Sequence, residues 1–270
     1  MKKLQLRLYA IVLFLIINMA AFAQEGFKKL VWADEFNSNG LPDSSKWDYD
    51  RGRGCPQNCG WGNHELQYYT WNRLENARVA DGILTIEARK EKYEGADYTS
   101  ARMVTRNKGD WKYGRVEVRA KLTDGKKGLW PAIWMLPTKW VYGGWPKSGE
   151  IDIMENVGYM PDSLFGTVHT DAFNGMLGTQ KSKSIAIKDL ATAFHVYAIE
   201  WTETKISFFI DDIKYNEFEN NKTGFAAWPF DQDFHLILNV AVGGDWGGKM
   251  GVDEGAFPQK LEVDYVRVYQ

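Results

Sequence analysis

From residue 84 onward, apolar and polar residues alternate with a period of two, stretch after stretch. Leu84, Ile86 and Ala88 alternate with Thr85, Glu87 and Arg89. Val116, Val118, Ala120 and Leu122 alternate with Arg115, Glu117, Arg119 and Lys121. A period of two is that of a strand with one buried and one wet face, not of a helix. Phe194 to Trp201 and Ile206 to Ile210 read as a hairpin turning at Thr202 to Lys205, and Phe234 to Val242 and Leu261 to Tyr269 add two further strands. The only helix candidate is a short piece near Lys188 to Ala193. Strands punctuated by Gly, Asn and Asp, with almost no helical pattern, predict an all-β sandwich. No internal repeat, low-complexity tract or Ser/Pro/Gly linker divides the chain, so one domain is expected.

That domain is expected at residues 24–270. Lys2, Lys3 and Arg7 precede an apolar stretch from Leu8 to Met19, and Ala21-Phe22-Ala23 follows with small residues at the cleavage spacing. Residues 1–23 therefore read as a signal peptide, and the product as secreted or periplasmic. No later apolar stretch is long enough to span a bilayer. The formal charge is −2. It becomes about −5 once the three leader cations are gone. With no basic run, this excludes a nucleic-acid partner. A monomer is expected. Cys55 and Cys59 are the two cysteines. In an oxidising compartment they are expected to form a local disulfide, and a zinc site is disfavoured because four ligands are missing. Twelve Trp, 13 Tyr and 14 Phe are compositional outliers. Either a β-core or a sugar-binding cleft would use them, since flat aromatic faces stack on the C–H face of a pyranose.

The run Glu150-Ile151-Asp152-Ile153-Met154-Glu155 carries the chemistry. Glu150 and Asp152 share one face of a strand, with Ile151 and Ile153 on the other. Strict alternation would bury Glu155, where an ionised carboxylate is costly. Ile153 and Met154 are apolar neighbours, so the alternation slips once. A one-residue bulge there returns Glu155 to the face of Glu150 and Asp152. Three carboxyls on one face should not all ionise, so their affinities for protons should split into an acid and a charged nucleophile. The competing reading is a solvated acidic strand face.

At these residues the chain resembles family 16 of the glycoside hydrolases, in particular its bacterial laminarinases, whose catalytic motif has this bulged form. The resemblance runs from Val31-Trp32-Ala33-Asp34-Glu35-Phe36 to Val263-Asp264-Tyr265-Val266-Arg267-Val268-Tyr269. It takes in Gly62 to Thr70, Tyr113 to Ala120 and Gly128 to Pro137 on the way. It implies a β-jelly-roll of two curved antiparallel sheets with an open cleft on the concave face. It also implies an endo-acting, retaining β-glucan hydrolase that cuts internal 1,3-β-glucosidic bonds through a covalent glycosyl-enzyme. Glu150 would be the nucleophile, Glu155 the acid/base, and Asp152 the residue that orients and tunes them. Asn63, Arg102, Trp130, Trp134 and His169 would bind substrate, with Trp145 and Trp246 on the cleft rim. No cofactor is expected for catalysis. A structural Ca²⁺ on the convex face would be held by Glu35, the backbone oxygen of Gly82 and Asp264, unless the two acids are ordinary strand-end carboxylates. The alternatives are a mixed-linkage 1,3-1,4-β-glucanase, a hydrolase of another marine polysaccharide such as agar, a transglycosylase, or a non-catalytic β-glucan-binding protein.

Overall fold

The computed structural model describes residues 26–270. The expected signal peptide lies outside the described residues. The strands are β1 (Leu30–Asp34), β2 (Asp48–Asp50), β3 (Gln67–Thr70), β4 (Ala77–Ala80), β5 (Ile83–Tyr93), β6 (Ala96–Val104), β7 (Asp110–Trp111), β8 (Gly114–Lys121), β9 (Leu129–Pro137), β10 (Glu150–Glu155), β11 (Ser163–His169), β12 (Lys181–Ala186), β13 (His195–Trp201), β14 (Lys205–Ile210), β15 (Ile213–Glu219), β16 (Phe234–Val242) and β17 (Gln259–Tyr269). The expected all-β jelly-roll sandwich is what forms.

One sheet runs β4-β5-β17-β8-β13-β14-β15, with β1 beside β5 along the same edge of β17. The other runs β12-β11-β10-β9-β16-β6-β2, with β7 beside β6 on β16. The β5–β6 hairpin crosses between them, and β3 adds to β6 in parallel. At the β4–β5 turn, Asp81 and Gly82 both have positive φ, 53° and 79°. That pair of angles matches the right-handed twist of a two-residue hairpin.

Between the sheets the alternating apolar faces interlock. Val116, Val118, Ile199, Val263 and Val266 come from one sheet, and Ile133, Met135, Ile151, Leu236 and Leu238 from the other. All are at most 1% exposed. Each such side chain contributes about 1.5–3 kcal/mol of transfer free energy. The outer face of the second sheet is the polar and aromatic one, and it carries the site.

The helix expected near Lys188 to Ala193 does not form. The segment is a single turn in which the Thr192 and Ala193 amides both donate to Asp189 O. Leu190 is buried and its carbonyl accepts from Leu122 N, which ties the turn to the end of β8. So short a helix cannot offset its nucleation cost, and this tertiary anchor decides the conformation.

Candidate active site

The bulge is where the residues demand it. Asp152 faces Trp134 and Met154 faces Ile133 across β9, so two steps on β10 match one on its neighbour. On the β11 side, Asp152 faces Thr167 and Glu155 faces Phe165. Ile151, Ile153 and Met154 are all fully buried in the core. Accommodating both Ile153 and Met154 inward turns Glu155 outward beside Glu150 and Asp152. Gly149, immediately before the strand, has φ 86°, and a Cβ there would lie 2.8 Å from Pro229 and 2.9 Å from Phe230. Glycine is required there by both the angle and the space.

Register then assembles the outer face in rows. One row reads Phe165, Glu155, Ala132, Asn239, Arg102, Asp50 from β11 to β2. The next reads Thr167, Asp152, Trp134, Ile237, Val104, Asp48. His169 faces Glu150 at the head of a third.

Each outer glutamate is held by an indole. Trp130 Nε1 donates to Glu155 Oε1 at 3.0 Å, and Trp145 Nε1 donates to Glu150 Oε2 at 2.8 Å. His169 Nδ1 accepts from Gly175 N at 3.2 Å. Its proton is therefore on Nε2, which lies 3.3 Å from Asp152 Oδ2 and 3.8 Å from Glu150 Oε1. Burial pushes the Asp152 carboxyl well above the usual range, helped by the charge of Glu150 and a hydrogen bond to it. Burial likewise pushes Glu155 well up. The charge of Asp152 adds to the rise, while His169 and the Trp130 hydrogen bond oppose it. Asp152 and Glu155 thus both hold a proton more tightly than an ordinary carboxyl does, and Glu155 stands immediately past the bulge.

Trp246 packs edge-on against Trp130, 5.5 Å between centroids, and against Phe165 at 5.0 Å. Trp145 borders His169 at 5.9 Å and is 39% exposed, as a rim residue would be. Trp134 donates its Nε1 to Asn239 Oδ1 at 2.7 Å. Arg102 is nearly buried, and its guanidinium lies 4.6 Å from both the Trp134 and the Trp61 rings, with Asp50 Oδ2 at 3.0 Å from its Nε. Asn63 donates to Glu65 Oε1 at 3.1 Å.

Sequence reasoning missed Trp61, Glu65, Tyr69 and Asn239. For Asn239 a signal existed: with His235, four residues earlier and so on the same face, it interrupts an otherwise apolar strand. Trp61 stands next to the loop of Cys55 and Cys59, which are joined in a disulfide.

The three residues expected to hold Ca²⁺ converge by register. Asp34 faces Val266, and Leu84 faces Val263, so Glu35, Gly82 and Asp264 flank one corner of the first sheet, away from the carboxylates of β10. Two carboxylates and a carbonyl suit Ca²⁺. As arranged, both oxygens of Glu35 accept from Arg267 at 2.8 Å, and Asp264 pairs with Arg119. A cation there must draw both acids away from guanidinium partners. Among the described residues, the one cluster of three metal-ligating side chains is Glu150, Asp152 and His169. None of the helices among them is long and apolar enough to cross a membrane.

A β-sandwich with three carboxylates on one bulged strand, set among tryptophans on an open sheet face, defines a class of sugar-cleaving enzyme. The chain belongs to glycosyl hydrolases family 16, whose family model matches residues 64–267. It is similar to a β-glucanase of Rhodothermus marinus, 58% identical over 249 residues, which are 90% of this chain and 85% of that protein. The solved structure of the laminarinase from Rhodothermus marinus matches with a TM-score of 0.86 at 58% identity, over 90% of this chain and 97% of that one. The structure of SCLam, a non-specific endo-β-1,3(4)-glucanase, matches with a TM-score of 0.85 at 49% identity, over 91% and 93%.

Proposed function

We propose that the chain is an exported, retaining endo-β-glucan hydrolase that cuts internal 1,3-β-glucosidic bonds of laminarin-like polysaccharides. The observation that carries this is the bulge that aims Glu150, Asp152 and Glu155 at one open face, with an indole donor on each outer glutamate. The catalytic activity and its glucan substrate are also those named for the relatives at 58% identity.

In this reading Glu150 attacks the anomeric carbon while Glu155, holding its proton, gives it to the departing glycosidic oxygen. The glycosyl-enzyme ester is then opened by water, which Glu155, now ionised, deprotonates. Asp152 keeps a proton between itself and Glu150, so the two acids do not repel in the free site. As Glu150 becomes an ester it gives up its charge and that hydrogen bond weakens; as water opens the ester and the carboxylate returns, the bond strengthens with the developing charge and favours its release. His169, with its Nε2 proton toward both acids, orients them without taking part in proton transfer. Trp130, Trp134, Trp246 and Trp145 offer apolar faces to the sugar rings, and Asn63 and Arg102 offer polar edges. The Glu35, Gly82 and Asp264 corner, if it takes Ca²⁺, acts on stability and not on the reaction.

A product profile on laminarin, lichenan and agarose tests the reading. Oligosaccharides from laminarin with retained anomeric configuration are expected, and inversion or no cleavage would refute it. A second reading, mixed 1,3- and 1,4-linked glucan, is favoured by the likeness to the non-specific SCLam, and cleavage of lichenan at a comparable rate would select it. Glu150→Ser is expected to abolish hydrolysis while oligosaccharide binding stays measurable.

A further inference from the structure

Glu65 is a buried carboxyl, 6% exposed, that the proposed chemistry does not use. It lies on the segment after the disulfide loop, with its own amide donating to Gly60 O at 2.9 Å and its backbone bridged to Gly243. Its Oε1 accepts from Asn63 Nδ2 at 3.1 Å. Its Oε2 accepts from Gln67 Nε2 at 2.6 Å and from Tyr69 OH at 3.4 Å.

The direction of the two bonds to Oε2 is set from outside. Val242 N donates to Gln67 Oε1 at 2.7 Å, so the Gln67 amide nitrogen must face Glu65. Trp134 Nε1 can only donate, and it does so to Asn239 Oδ1, so Asn239 presents its Nδ2 to Tyr69 OH at 3.0 Å. The tyrosine hydroxyl has then accepted, and its proton is left for Glu65. A backbone amide at one end and an indole at the other thus make Glu65 the terminal acceptor of the network. A carboxylate can accept from three donors at once; a protonated acid or an amide cannot. With its amide nitrogen given to Glu65, Asn63 has its Oδ1 free as an acceptor.

We propose that Glu65 is a positioning residue: as a carboxylate it fixes the Asn63 amide so that its oxygen accepts from a sugar hydroxyl, and through Tyr69 and Asn239 it holds the indole of Trp134 on the same side of the cleft. This rests on the reading of Asn63 and Trp134 as substrate-binding residues. The residue acts through binding, not through the bond being cut.

Burial raises the Glu65 carboxyl, against the pull of its donors and of the Arg102 charge. Arg102 and Tyr69 are the charged and titratable groups that face it. Adding a proton places a donor where the network supplies only donors, so grip on the substrate should weaken as the medium becomes acid.

The test is Michaelis kinetics on laminarin oligosaccharides from about pH 4 to 8, for wild type, Glu65→Gln and Tyr69→Phe. Glu65→Gln keeps the volume and adds a donor, and it should raise KM about tenfold with kcat within about threefold. Tyr69→Phe removes one link and should raise KM about threefold. Wild-type KM should climb toward low pH, and that climb should be absent in Glu65→Gln. A wild-type enzyme that leaves laminarin intact overturns the reading of the site. An active wild type whose KM is flat in acid, or a folded Glu65→Gln with unchanged KM, overturns the role of Glu65 alone. Should Glu65→Gln fail to fold, Tyr69→Phe and the wild-type KM profile decide the matter.

Discussion

Replacing Trp130 by Phe removes the one hydrogen bond it gives the acid/base, so its effect on the pH profile can be reasoned in advance. Trp130 Nε1 donates to Glu155 Oε1 at 3.0 Å. An N–H aimed at a carboxyl favours the ionised form, and this bond opposes the rise that burial and Asp152 impose. Phenylalanine has no donor, so the Glu155 carboxyl should rise further. A hydrogen bond to a charged group is worth about 1.5–3 kcal/mol when shielded from water. Both side chains are only partly buried, so the bond is discounted to about 1 kcal/mol, or roughly 0.7 of a pH unit. Glu155 must carry a proton to act as the acid, so activity is lost as pH rises through its proton affinity. The alkaline limb of kcat/KM should therefore move up by about 0.5–1 pH unit. The smaller ring also loses edge contact with Trp246 and sugar-facing area, worth about 0.5–1.5 kcal/mol, which should appear as a raised KM. The assay is the pH dependence of kcat/KM on a laminarin oligosaccharide. An alkaline limb that stays still, or moves down, would refute either the role of Glu155 or that of its indole partner.

Three further outcomes follow from groups already described. Asp152 is buried with one oxygen unpartnered and its carboxyl raised, so ionising it opposes folding as pH climbs from the unfolded toward the folded proton affinity. Asp152→Asn should gain about 1 kcal/mol, or about 2–4 °C in Tm, at neutral pH, lose that gain in acid, and lose activity as well; a lower Tm at neutral pH would contradict the burial argument. Unfolded, unreduced protein should show no free thiol, since Cys55 and Cys59 are paired, and two titratable thiols would refute the disulfide. The proposed Ca²⁺ site predicts a Tm that falls on chelation and recovers with excess Ca²⁺, by about 2.7 kcal/mol when the ion is at 100 times its Kd; an unmoved Tm leaves Glu35 and Asp264 to Arg267 and Arg119.

The parts of the molecule legible in its sequence are those decided within one strand. Alternation marks β8 and β17 because each has one face in the core, and burial is what period two records, whereas β14 and β16 are buried along nearly their whole length and show as apolar runs. The bulge is legible for the same reason. Ile153 and Met154 both gain from burial, and the chain can bury neighbours on one strand only by slipping its register, which turns Glu155 to the open face. The apolar demand of the core thus aims the acid of the site. What the sequence hides is whatever forms between distant segments. Glu65, Tyr69, Asn239 and Trp134 come together through a parallel β3–β6 pairing and the β16–β9 ladder, and Tyr69 and Asn239 are 170 residues apart. Trp61 reaches Arg102 from a loop whose course no periodicity describes. The turn at Asp189 failed as a helix because Leu190 found a buried partner at the end of β8. The division has a chemical meaning. Bond cleavage needs carboxylates at a fixed spacing, and one strand with one slip can supply that. Holding a polysaccharide needs donors and acceptors spread across several strands, each oriented by another group, and so the grip on substrate is written in the tertiary structure.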